Sequence, residues 1–215
     1  MYAIPMVIGG IALTLSMPAA SRLTELIAQP WHPFPFAFFL SYTVISAMMA
    51  LRIGASTTPD DIHPRYATAV LRILARVSFG HFLMLPLIAY SRMLFPDSVL
   101  SIVGATALIY LVCLMMSLVA MLLHVRDEYY DRSSLGRRYA FFILYFSLPL
   151  LGLISDATLI RMIALISPVQ SLVTLLAPSA SVLERTIALS IPGLIVVVLS
   201  VILFRKPQGR PDVVF

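Results

Sequence analysis

Charged residues are scarce in this chain of 215 residues, and the scarcity indicates its class. Asp, Glu, Lys and Arg make up 12 % of the residues, whereas a soluble domain carries about 25 %. Hydrophobic residues make up 60 %, and the mean hydropathy is +0.96. Such a composition cannot cover a surface exposed to water, so we expect lipid to be the solvent. The apolar runs are continuous rather than alternating, which predicts an all-α membrane protein rather than a membrane barrel.

Other absences exclude whole classes of site. Cys113 is the single cysteine and lies in an apolar run, so the sequence predicts neither a disulfide framework nor a thiolate metal site. The chain has no Gly-x-Ser-x-Gly, no His-Glu-x-x-His and no Gly-rich phosphate loop. The sole lysine, Lys206, lies outside the apolar runs, and no run holds two aspartates, which excludes two types of intramembrane protease. We therefore predict no catalytic residue, no cofactor and no enzymatic activity.

The charge that is present is grouped. Of the 15 Lys and Arg residues, four lie within 52–76, four within 126–138 and three within 205–210. Basic loops beside apolar runs mark the cytoplasmic face of a membrane, so the net charge of +5 does not indicate a nucleic-acid partner. The three groups instead show how the chain is threaded through the bilayer.

Six apolar runs approach the roughly 20 residues that a helix needs to cross a hydrocarbon core of about 30 Å. The predicted spans are residues 3–20, 34–51, 77–95, 99–124, 139–154 and 187–204. These spans form one helical domain over residues 1–204, followed by a tail over residues 205–215.

A seventh apolar run, residues 157–177, is long enough to cross but contains Arg161, Pro168 and Gln170. If it crossed, the third basic group would face the opposite side from the first two. If it dips in and returns, all three groups share one side, as the positive-inside rule favours. The sequence therefore predicts six spans, a re-entrant or interfacial segment over about 157–177, and both termini in the cytoplasm, in the inner membrane of a bacterium.

The first basic group predicts an amphipathic helix over about 64–77 on the cytoplasmic side. The apolar residues that recur there at helical spacing are Tyr66, Ala69, Val70, Ile73 and Val77. Arg65, Arg72 and Arg76 line another face. Two interpretations are compatible: anchoring to lipid headgroups, and docking of a cytoplasmic partner. The loop before the fifth span would supply the second half of a docking surface. Its basic residues in this role are Arg126, Arg137 and Arg138.

Two histidines allow a different interpretation. His81 lies just inside the third span and His124 ends the fourth, so both are expected near the cytoplasmic leaflet. Facing histidines on adjacent helices can ligate haem or a metal ion. The alternative is that both make ordinary polar contacts or face water.

The predicted plan has six spans, a cytoplasmic helix between the second and third, and short dipping helices before the last, with Ser167-Pro168 in the dipping segment. This plan resembles the membrane subunit of ABC-2-type exporters. The resemblance implies that residues 52–77 contact a separate ATP-binding subunit and that residues 155–184 line an outer gate. The gate residues would be Asp156, Arg161, Gln170 and Glu184.

The resemblance further implies a permease that works as a homo- or hetero-oligomer. Because charge is nearly absent from the spans, a lipid-like or amphipathic substrate fits better than an ion. The competing interpretation is a non-catalytic structural subunit of a larger membrane complex, which would use the same helices for packing alone. The third interpretation is a haem-binding membrane protein.

Overall fold

A computed structural model describes residues 33–57, 66–94, 99–129, 134–154, 166–177 and 180–205. These residues form six helices and no strand, which confirms the all-α prediction over this part of the chain. The helices are α1 (Pro33–Ala55), α2 (Tyr66–Leu94), α3 (Val99–Tyr129), α4 (Ser134–Ile154), α5 (Pro168–Leu176) and α6 (Val182–Arg205).

Four of these helices are long and apolar enough to cross a membrane. Their apolar stretches are Phe38–Ala55 in α1, Tyr66–Pro86 in α2, Val99–His124 in α3 and Val182–Phe204 in α6. Each overlaps one of the predicted spans. The predicted span 139–154 lies within α4, and the predicted span 3–20 lies outside the described residues.

The predicted surface helix and the third span form one continuous helix, α2, of 29 residues. Of the five apolar residues at helical spacing, Ala69, Val70, Ile73 and Val77 are at most 7 % exposed, and Tyr66 is half-buried. That face packs into the core of the bundle rather than lying on a membrane surface. Residues 58–65, including the start of the predicted surface helix, lie outside the described residues.

Helix α3 is the centre of the fold. Within its apolar stretch 61 % of the residues are buried, against 17 % for α6, and α3 contacts each of the other five helices. Its fully buried side chains include Leu108, Ile109, Val112, Met115, Met116, Leu118 and Met121. An apolar helix of this kind is the core element around which the others pack.

Helices α1 and α3 approach each other closely through small residues. The backbone of Ser117 lies where a Cβ at Gly54 would stand, and Ala120 lies beside it. The Ser117 hydroxyl donates a hydrogen bond of 2.9 Å to the carbonyl oxygen of Ala50. Small residues at helix crossings allow this kind of backbone contact, which is common between helices in membranes.

Helix α5 is short. Ser167 caps its N-terminus by accepting a hydrogen bond of 3.2 Å from the Val169 amide, and Pro168 occupies the first helical turn. Nine residues span about 13.5 Å at 1.5 Å per residue, against about 30 Å for a hydrocarbon core. The described part of the segment 157–177 is thus too short to cross a membrane alone, and residues 157–165 lie outside the described residues.

Candidate functional site

The first polar cluster lies where α1 ends beside α2, which we call the basic end. Arg76 of α2 donates a hydrogen bond of 2.6 Å to Oγ1 of Thr57, and its Nη1 also lies 3.5 Å from Oγ of Ser56. Thr57 is 2 % exposed, and its hydroxyl donates in turn to the carbonyl oxygen of Ile53 at 2.6 Å. A guanidinium here also offsets the negative end of the α1 dipole. Arg76 therefore joins two helices of the chain itself.

Three of the other predicted docking residues have described side chains. Arg72 lies one turn before Arg76 on α2, and Arg137 and Arg138 lie near the start of α4. All three are half-buried, and each makes an interaction within the chain. Arg52, in the last turn of α1, is exposed. Arg126 belongs to α3, where the structure describes the helix but not this side chain, and Arg65 lies outside the described residues.

A second polar cluster, which we call the Arg185 end, lies where α6 begins. Nη1 of Arg185 donates a hydrogen bond of 3.1 Å to Oγ of Ser101 in α3, and Nη2 donates one of 3.0 Å to the carbonyl oxygen of Ala177 after α5. Its Nε is buried and has no hydrogen-bond partner among the described residues. One guanidinium thus links α3, α5 and α6. Sequence analysis did not assign Arg185 to a site, because Ser101, which joins it to α3, lies 84 residues earlier.

Glu184, a predicted gate residue, caps α6. Its Oε2 accepts hydrogen bonds from the amide and the hydroxyl of Ser181 at 2.7 and 2.8 Å, and the Glu184 amide lies 3.2 Å from the same hydroxyl. This reciprocal pattern is a capping box, which satisfies backbone donors at a helix start. Its signature, Ser181-x-x-Glu184, was readable from the sequence.

The structure does not bring the four predicted gate residues together within the part it describes. Asp156 and Arg161 lie outside that part. Gln170 is half-buried on α5, where its backbone carbonyl oxygen accepts a hydrogen bond of 3.0 Å from the Thr174 hydroxyl. Glu184 lies in the exposed first turn of α6. A gate role for these residues stays a prediction.

A cavity of about 40 Å³ lies among α1, α2 and α3. Its polar and sulfur-bearing lining residues are Tyr42, Ser46 and Met49 from α1, His81 and Met84 from α2, and Cys113 from α3. The volume suffices for about three water molecules at roughly 10–15 Å³ each. Sequence analysis missed this cavity, because its lining comes from three helices and follows no local spacing.

His81 packs against Tyr110 of α3, with ring centroids 5.3 Å apart and planes inclined by 58°. The Tyr110 hydroxyl forms a hydrogen bond of 2.8 Å with the hydroxyl of Ser78, which fixes that ring. His124 lies 14 residues beyond Tyr110 on the same helix, or about 21 Å along its axis. The two histidines are therefore too far apart to ligate one haem or metal ion. No cluster of three or more His, Cys, Asp or Glu side chains occurs within the described ranges.

Comparison with protein-family models, curated proteins and solved structures finds no match. A functional assignment therefore depends on the chain's own residues and geometry.

Proposed function

We propose that the protein is an integral membrane permease subunit that exports a lipid-like or amphipathic substrate with energy from a separate ATP-binding subunit. It has six spans in this proposal, with both termini in the cytoplasm of a bacterium. The four long apolar helices support the membrane placement, and the short helix α5 supports the permease role. The chain acts in a homo- or hetero-oligomer.

Exposed apolar side chains support the membrane placement. Phe79 and Phe82 on α2 are 59 and 67 % exposed, and Leu194 on α6 is 65 % exposed. A water-soluble monomer rarely exposes large contiguous apolar patches, whereas a membrane protein presents them to lipid. Addition of α4 and the predicted span 3–20 to the four long helices gives the six spans.

The observation that carries the permease proposal is the position of α5. Its C-terminal end is bonded to Arg185, which also bonds Ser101 near the start of α3. Leu175 packs on Gly104 in the second turn of α3, with its Cδ2 only 3.0 Å from where a Cβ would stand. Ser167 and Leu172 are 0 % exposed, and α5 contacts α1, α3, α4 and α6. A short helix thus enters the bundle beside the N-terminal part of α3, as expected of a re-entrant gate element.

The basic end supports the proposed docking of an ATP-binding subunit. Arg72 and Arg76 lie on α2 beside the end of α1, where Gly54 meets Ser117, and Arg185 bonds Ser101, 16 residues earlier in α3. Arg76 is bonded to Thr57, so we assign it a structural role as well as a place on this surface. A partner with an acidic patch would meet Arg65, Arg72, Arg137 and Arg138.

Isolation of the intact protein in mild detergent, followed by mass spectrometry, tests the docking. We expect an ATP-binding subunit to co-purify with the wild type and to be lost from the Arg65→Glu/Arg72→Glu variant. The matched control is Arg65→Lys/Arg72→Lys, which keeps the charge and should keep the partner. An ATP-binding subunit absent from the wild-type preparation overturns the proposal.

A labelling experiment tests the membrane placement separately. Ser56 at the basic end and Leu183 at the Arg185 end are both exposed. In a Cys113→Ala background, we expect a membrane-impermeant maleimide to label Ser56→Cys and Leu183→Cys from opposite faces of the membrane. Labelling of both from one face contradicts the proposed topology.

A structural subunit of a larger membrane complex is the second candidate, and the surface of α6 favours it. Large apolar side chains along its whole length are exposed, from Leu183 at 69 % to Phe204 at 50 %. Such a face suits neighbouring subunits as well as lipid. Co-purification of other membrane proteins without an ATP-binding subunit supports this candidate.

A further inference from the structure

The geometry points to a binding site for Cu(I) in the cavity among α1, α2 and α3, with Met49, His81, Met84 and Cys113 as its ligands. The site is independent of the proposed transport function. It uses side chains that neither the docking surface nor the gate element involves.

Three helices contribute the four donor side chains to one cavity. His81 and Met84 lie three residues apart on α2, and such residues share a helix face. Met49 lies on α1 and Cys113 on α3, so residues of three helices line the cavity. Met84 is 5 % exposed and Cys113 is 7 % exposed, while Met49 and His81 are half-buried.

The donor types select the metal. Thiolate, thioether and imidazole are soft or intermediate ligands, and the first two favour Cu(I). Mg²⁺ and Ca²⁺ need about six or more oxygen ligands, and the cavity lining contains no carboxylate. Zn²⁺ is bound by thiolate, imidazole and carboxylate, so the two methionine thioethers would not contribute to its coordination.

Charge balance also favours a monovalent ion. Metal binding by Cys113 releases the thiol proton to the solvent and leaves a thiolate. One thiolate and one Cu(I) ion make a neutral pair, and His81 binds as the neutral imidazole. A divalent ion with the same ligands would keep an uncompensated positive charge among apolar helices, which is costly.

The size and rigidity of the cavity suit an ion. About 40 Å³ is small for an organic headgroup but sufficient for one metal ion. The contact between His81 and Tyr110, and the hydrogen bond from Tyr110 to Ser78, restrict the imidazole orientation. Residues that orient a ligating histidine contribute about 10–100-fold to metal affinity.

The test uses the full-length protein in detergent, without oxygen and with a reductant present. Cu(I) is supplied as its bicinchoninate complex, whose colour fades as the protein takes the metal. We expect one equivalent to bind and X-ray absorption to show sulfur-rich coordination. We expect Met49→Leu, Met84→Leu and Cys113→Ala each to weaken binding at least about tenfold.

Met48→Leu is the matched control, because Met48 neighbours Met49 but is 41 % exposed and does not line the cavity. It should bind Cu(I) as tightly as the wild type. The methionine-to-leucine changes conserve volume, so each apo variant is also expected to unfold at the wild-type temperature. The proposed site is wrong if the wild type does not bind Cu(I), or if Met48→Leu and Met49→Leu lower the affinity for Cu(I) equally. The cavity then holds water or is empty.

Discussion

Gly54 of α1 lies directly against the backbone of Ser117 in α3, and the Ser117 carbonyl group occupies the space that a Cβ at position 54 would need. Three residues further along α3, the Ala120 side chain would be 2.9 Å from the same Cβ. The atoms in the way are mainly backbone, which cannot rotate aside as a side chain can. Any other residue at position 54 must push the two helices apart.

We predict that Gly54→Ala destabilises the protein by about 1–3 kcal/mol, the usual cost of overpacking. Gly136→Ala is the control, because a Cβ at that position in α4 meets nothing within 4 Å. Replacement of glycine by alanine within a helix is otherwise favourable by roughly 0.5–1 kcal/mol. Denaturant-induced unfolding in detergent measures the stability of both variants. Equal changes in their free energies of unfolding would contradict the predicted clash at position 54.

The hydrogen bond between Arg76 and Thr57 should appear as an energetic coupling. We expect Arg76→Gln and Thr57→Val to be non-additive in a double-mutant cycle, by about 0.5–1.5 kcal/mol. The control cycle pairs Thr57→Val with Arg52→Gln, which changes an exposed arginine on α1. That cycle should be additive to within about 0.5 kcal/mol. Additivity in both cycles would contradict a stabilising hydrogen bond between Arg76 and Thr57.

Replacement of Arg185 should loosen α5. Arg185→Met removes the hydrogen bonds to Ser101 and to the Ala177 carbonyl while keeping the bulk of the side chain. Hydrogen bonds to charged groups contribute about 1.5–3 kcal/mol, or roughly a 10- to 100-fold change in the opening equilibrium. We expect amide hydrogen exchange over residues 168–176 to accelerate by that factor.

The control for this exchange experiment is Thr186→Val, on the residue next to Arg185. The Thr186 hydroxyl bonds only within its own helix, to the Val182 carbonyl oxygen at 2.8 Å. Its loss should leave exchange in α5 unchanged. Equal acceleration in both variants would mean that Arg185 does not secure this helix.

Two substitutions of Glu184 distinguish its role in the capping box from any further role of its carboxylate. Glu184→Ala removes the acceptor for Ser181 and should lower the unfolding temperature, as loss of a helix cap does. Glu184→Gln keeps an acceptor oxygen and should retain most of the stability, since glutamine also occurs in this motif. Both are measured by thermal unfolding in detergent. If Glu184→Gln abolished the proposed export while its stability was retained, the carboxylate would have a role beyond the cap.

The sequence predicts the fourth span well and the sixth less well, for a physical reason. The span 99–124 begins at the same residue as α3, because a polar sequence that contains proline precedes an uninterrupted apolar run. Helix α6 begins at Val182 rather than at residue 187. Sequence analysis ends a span at charged residues, since isolated charges avoid lipid. Here Glu184 bonds Ser181 and Arg185 bonds Ser101, so both charges belong to the helix.

Helical periodicity shows which face of a helix is buried, but not which residues cover it. It identified Ile73 and Val77 as members of one face, and both are buried. It placed Arg76 on a docking face, yet Arg76 bonds Thr57, 19 residues earlier. The copper ligands Met49, His81 and Cys113 are still more widely separated, and no local pattern joins them.

The central position of α3 has a consequence for biosynthesis. Helix α1 packs mainly on α3 and only slightly on α2, so the first two helices leave the ribosome before their principal support has been made. The chain from the end of α2 at Leu94 to the end of α3 at Tyr129 takes about 2–7 s to synthesise at roughly 5–20 residues per second. During that interval the small-residue face of α1, with Gly54 at its end, lacks the α3 contacts that cover it in the folded chain.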